Sequence, residues 1–159
     1  MKTLNSINDI KKELQILPEK RLVEICTTLA RYKKDNKEYL NYLLYYADST
    51  DAYIQGIIDE VDIQFSSIDV KANLYYIKKS LRKILRIVNK YSRYIDDKQV
   101  SARMLIYFCR KIKDSGIPFQ ESKVIVNMYN QQIKKINTLM DALHEDLRHD
   151  FKMELEDLI

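Results

Sequence analysis

Residues 72 to 95 read ANLYYIKKSLRKILRIVNKYSRYI, and this stretch decides the fold. Leu74, Ile77, Leu81, Ile84, Val88, Tyr91 and Ile95 fall alternately three and four apart. A heptad seam of that kind, sustained over three repeats, predicts a long helix packed along a neighbour at a shallow angle. Away from the seam, Lys78, Lys79, Arg82, Lys83, Arg86, Lys90 and Arg93 share one arc, and no acid lies between Lys71 and Ile95. Solvent-facing helices ordinarily intersperse Glu with Lys at i,i+4, at about 0.2–0.5 kcal/mol per pair. This helix forgoes that stabilisation along its whole length.

Outward from the seam, the chain continues in helical periods. Ser6 is placed to cap a first helix carrying Ile7, Ile10, Leu14 and Leu17. Pro18 ends it and begins a second, running to about Lys33, with Leu22, Ile25, Cys26 and Leu29 expected inside. Lys34-Asp35-Asn36 is a polar break before a third helix reaching about Ala47, and Asp48-Ser49-Thr50-Asp51 links to a fourth marked by Ile54, Ile57, Ile58, Val61, Phe65 and Ile68. Beyond the seam helix, Leu105-Ile106-Tyr107-Phe108-Cys109 predicts a central helix over about 99 to 114, stopped by Gly116 and Pro118. From about Glu121 the periodicity predicts one long amphipathic helix, about 55 Å if straight, that either bends near Asn137-Thr138 or serves an oligomer.

Composition agrees. Average usage would give about 11 glycines and about 8 prolines in 159 residues, and the chain has two of each. Strand punctuation is nearly absent, and so are the glycine-rich phosphate loops, dinucleotide turns and nucleophile elbows that need close backbone approach. The expected fold is all-α, a single domain over 1–159. Six or seven mostly antiparallel helices would form a bundle or short α-solenoid with a long C-terminal helix. Cys26 and Cys109 lack any CxxC spacing and are expected as two buried thiols in a reducing compartment. Nothing near the N-terminus resembles a signal peptide, and no apolar run approaches a membrane span, so the expected address is cytoplasmic, with no membrane partner.

The net charge of +4 conceals segregation. Residues 48 to 70 hold six acids and no Lys or Arg, 71 to 98 sum to +7, 99 to 140 to +5, and 141 to 159 to −5. The basic arc at 78–93 is therefore a candidate nucleic-acid or anion-binding surface, flanked by Tyr75, Tyr76 and Tyr94 for stacking. The alternative is that the acidic fourth helix lies beside it and neutralises it within the fold.

Two other clusters are candidates. Tyr39, Tyr42, Tyr45, Tyr46 and Tyr53 suit half-buried helix packing or a partner-binding patch. His144-Glu145-Asp146-Leu147-Arg148-His149-Asp150 places Glu145 and His149 on one helix face, as a metal pair would be. Its His149-Asp150 doublet resembles HD-type phosphohydrolases. Those enzymes need a further His well upstream on another helix, whereas His144 stands five residues away, so a solvated face is expected. No metal, cofactor, catalytic residue or small-molecule substrate is suggested, since Ser and Thr lack a His partner elsewhere.

Leu17-Pro18-Glu19-Lys20, the run Leu29 to Glu38, and Leu143-His144-Glu145-Asp146-Leu147 resemble a family of small uncharacterised all-helical bacterial proteins of unknown function. The resemblance implies a bacterial cytoplasmic setting and carries no site residue. The function expected is a non-enzymatic protein-binding or adaptor module that meets another protein or itself. Nucleic-acid binding through the basic arc is the alternative, and a metal-dependent hydrolase at the histidine cluster a remote one.

Overall fold

Among the described residues, eight α-helices and a 3₁₀ turn carry about 80% of the positions, and there is no strand. The computed structural model describes residues 4 to 159. They fall into two compact units, Met1–Asp48 and Ser49–Ile159.

The first unit holds α1 (Ile7–Gln15), α2 (Glu19–Tyr32) and α3 (Lys34–Tyr45). Ser6 caps α1 in a reciprocal box with Asp9, as its position predicts. The break between α2 and α3 is shorter than the sequence suggests. Lys33 alone adopts an extended conformation (φ −142°, ψ 145°), while Lys34, Asp35 and Asn36 form the first turn of α3. Asn36 makes this abrupt join possible by donating its amide to the Leu29 carbonyl at 2.8 Å, which satisfies an orphan acceptor at the end of α2. Three short helices enclose little. Tyr42 is the one buried residue in α1 to α3, and Cys26, expected inside, is exposed.

The second unit holds α4 (Thr50–Ser66), α5 (Leu74–Ile95), α6 (Lys98–Asp114), the 3₁₀ turn Phe119–Glu121, α7 (Lys123–Asp141) and α8 (Glu145–Glu156). The seam of α5 is realised: Ile77, Leu81, Ile84 and Val88 are all buried. Helix α6 is the centre, packed against α4, α5 and α7, and it buries seven residues including Leu105, Ile106, Phe108 and Cys109. Asp96, in the left-handed region at φ 53°, closes α5, and Asp97 at once caps α6 by accepting from the Val100 amide. Gly116 (φ 73°) takes the left-handed position after α6, where glycine carries no Cβ penalty.

The single long C-terminal helix of the sequence reading is two helices, which raises the count to eight. The chain breaks at Ala142-Leu143-His144, with His144 extended (ψ 150°). No glycine or proline marks the place. Arg148 satisfies the freed carbonyls instead, donating Nε to Leu143 at 2.9 Å and Nη2 to Asp141 at 2.8 Å. Helix α8 then folds back on α7, burying Phe151, Leu155 and Leu158, and the Tyr129 hydroxyl donates to the Leu158 carbonyl at 2.8 Å. Burial of these side chains outweighs the continuous helical ladder, because a straight helix would leave Phe151 and Leu155 in water.

Candidate functional site

The basic arc lies on the side of α5 opposite its buried seam, so its cations point away from the core. Lys79, Arg82, Lys83, Arg86 and Arg93 are exposed, and Lys78 and Lys90 are half-buried. Among the described residues, no ion pair engages Lys78, Lys79, Arg82, Lys83, Arg86 or Arg93. Lys78 and Lys79 each hold their ammonium 4.5 Å from the Tyr75 ring, and Lys90 sits 4.8 Å from the Tyr91 ring. These contacts hold the stems in place without consuming the charge. Tyr75 and Tyr76 are exposed and meet edge to face, whereas Tyr94 is half-buried.

Three of the four acids of α4 are engaged away from the arc. Asp62 accepts from the Tyr107 hydroxyl and pairs with Lys111 at 3.0 Å, both on α6. The Tyr107 hydrogen bond, with Lys111 beside it, holds the Asp62 carboxyl below its ordinary range, against the opposing effect of burial. Asp59 accepts from Gln55, and Glu60 from Gln64, each within α4 at 2.8 Å. Helix α4 meets α5 through apolar and aromatic side chains such as Tyr53, whose ring stands edge-on to Tyr91 at 5.9 Å.

Helix α7 supplies what sequence reading missed. Its Lys135 Nζ donates to Asn89 on α5 at 2.7 Å. Burial between the helices lowers the Lys135 pKa, and nearby Arg93 adds to the effect. A groove of about 360 Å³ separates the helices, lined by Arg82 and Leu85 on one side and by Val124, Asn127, Met128 and Gln131 on the other. Residues 82 and 85 line the groove opposite residues 124 to 132, and Asn89 accepts from Lys135 further along, so α5 and α7 run parallel. No acid occurs from Lys123 to Met140, so α5 and α7 present ten cations, and the one carboxylate on them is Asp141, the last residue of α7. The signal was in the sequence as that acid-free run; only the fold puts it beside α5.

The other candidates stand apart from this face. Tyr42 is buried, Tyr53 half-buried, and Tyr39, Tyr45 and Tyr46 are exposed; Tyr53 belongs to the second compact unit and the other four to the first. In the histidine segment every residue except Leu147 is exposed, and His144 Nδ1 lies 3.4 Å from Asp146 at 76% and 92% side-chain exposure. The segment closes one helix and opens the next. No three His, Cys, Asp or Glu side chains among the described residues converge as a metal site. A second cavity of about 480 Å³, between α4 and α6, is lined by Ile54, Ile58, Arg103, Tyr107 and Arg110 with Glu154, which pairs with Arg110 at 3.4 Å. No described helix is long and apolar enough to cross a membrane. No family model, curated protein or solved structure matches the chain.

Proposed function

We propose that this chain is a non-enzymatic nucleic-acid-binding module whose contact surface is the outer face of α5. One observation carries the reading: Lys79, Arg82, Lys83, Arg86 and Arg93 project into solvent from one helix without a carboxylate partner among the described residues. Unneutralised cations repel one another and lower stability, so such a row costs the fold something unless a polyanion meets it. Lys79, Arg82, Arg86 and Arg93 lie within about 40° of one line at 100° per residue, and extend over about 21 Å. Each phosphate they neutralise releases condensed counterions, which supplies affinity without any sequence readout. The test is a charge reversal. Arg82→Glu with Arg86→Glu, both exposed and so harmless to the core, should abolish binding to a mixed-sequence oligonucleotide at about 50 mM salt. Undiminished binding by that variant, with its helical content intact, would discard the reading.

A second reading rests on the Met1–Asp48 unit. Among its described residues it buries one side chain, Tyr42, while exposing Ile7, Ile16, Val23, Tyr32, Leu44 and Tyr45, each more than 60% accessible. Apolar surface on that scale is what a protein partner covers, with the tyrosines as anchors. In this reading the unit is the adaptor half of the chain. Leu44→Ser with Tyr45→Ser should then release a bound protein or convert a self-associated species to monomer in sedimentation velocity. A chain that sediments as a monomer and retains no partner in either form would count against it.

A further inference from the structure

The acid-free face continues from α5 onto α7, but its chemistry changes there. Asn127, Asn130, Gln131 and Lys134 fall at i, i+3, i+4 and i+7, so they form one stripe, and all four are exposed. The three amides have no protein hydrogen-bond partner among the described residues. Amides carry both a donor and an acceptor, the pattern that base edges present and phosphates lack. Helix α5 offers point charges, and beside it the parallel α7 offers hydrogen-bonding groups, with the Arg82-lined groove of about 360 Å³ between them.

Resting on the nucleic-acid reading above, we infer that the ligand is a single strand, held with its phosphates along α5 and its base edges against the α7 amides. Two features select a single strand. The major groove of B-DNA is about 12 Å wide and admits one helix, whereas two helices each about 10 Å across with a groove between them present at least roughly 20 Å. A duplex therefore meets this face with its phosphates alone, and the amide stripe stays idle. In a single strand the bases are splayed beside the backbone and reachable from the neighbouring helix. Exposed Tyr75 and Tyr76, at the N-terminal end of the α5 row, add ring edges and faces for a terminal base.

The experiment compares a labelled mixed-sequence single strand with a duplex of the same length, by fluorescence anisotropy at several salt concentrations. Three chains are used: the unaltered protein, Asn127→Ala with Asn130→Ala and Gln131→Ala, and Arg82→Glu with Arg86→Glu. The alanine variant changes no charge and places a good helix former on an exposed face, so it folds. The expected result is tighter binding of the single strand by the unaltered chain. The alanine variant should lose about tenfold in single-strand affinity, with duplex affinity and salt slope unchanged. Equal affinity for both ligands, or single-strand binding unmoved in the alanine variant, overturns the inference while leaving α5 as a phosphate-binding face. Absence of binding to either ligand at about 50 mM salt overturns the nucleic-acid reading itself, and this inference with it.

Discussion

Cys109 lies at the middle of α6 with no accessible surface, and burial pushes its thiol from an ordinary 9.0 up to about 12. Between those values the unfolded chain ionises the thiol and the folded chain keeps it protonated. Its contribution is therefore intact below pH 9 and is lost as the pH climbs toward 12. At about pH 10.5 the medium is some one and a half pH units above the thiol's ordinary value, and each unit is worth about 1.4 kcal/mol. The thiol should then remove about 2 kcal/mol of stability relative to neutral pH. In Cys109→Ala the cavity left behind costs the same at both pH values, and the other titrating groups are shared with the parent chain; Tyr129, whose pKa the Cys109 thiolate helps raise, feels that charge only once the folded thiol ionises near pH 12. The assay is urea unfolding in reducing buffer, followed by helical circular dichroism, near neutral pH and near pH 10.5. The parent should lose about 2 kcal/mol more than the variant between the two conditions. Equal losses would refute full burial of the thiol, and with it the central position of α6.

Three further outcomes follow from single contacts. Ser92 is buried on α5 with its hydroxyl unpartnered, so Ser92→Ala should leave stability unchanged or raise it by about 1 kcal/mol, whereas a loss would show that the hydroxyl has a partner in solution. Tyr129→Phe removes the hydroxyl that the Leu158 carbonyl accepts from, and should cost about 1 kcal/mol while speeding hydrogen exchange in α8 ahead of α5. Arg148→Ala strips two carbonyl caps from the α7–α8 link and should cost about 1 kcal/mol of thermal stability; no shift in the melting curve would mean that these exposed bonds contribute nothing.

The parts of this fold that were legible in the sequence are those set by periodicity within one helix. Ile77, Leu81, Ile84 and Val88 stand out because they repeat with the heptad, and they are the residues α5 buries. Leu105 to Cys109 stands out because a polar helix face is missing there, and α6 is buried on nearly every side. The turn into α8 was illegible because Arg148, four residues beyond His144, makes it by reaching back to carbonyls, and no local propensity records such a bond. Asp96 shows the same gap, taking a left-handed conformation that glycine or asparagine would have advertised. In the first unit, periodicity overstated burial. Ile7, Ile10 and Leu29 occupy the apolar stripes of their helices yet remain exposed, because three short helices cannot enclose them. The basic arc was visible as a run without acids, but whether α4 neutralises it depends on which neighbour takes its carboxylates. Asp62 turns to Tyr107 and Lys111, a choice made by packing across 45 residues of chain. The α7 amides were silent for the same reason: an uncharged polar stripe is ordinary until it lies beside a row of cations.

The salt dependence of binding tests the role of the α5 face most directly. Four outward cations, Lys79, Arg82, Arg86 and Arg93, each displacing counterions from a single strand at about 0.7 per phosphate, give a slope near −3 for log affinity against log salt. Replacing Arg82 and Arg86 by alanine should roughly halve that slope while the chain stays folded. An affinity that does not change with salt, or a slope indifferent to those two arginines, would contradict the assignment of α5 as the nucleic-acid contact.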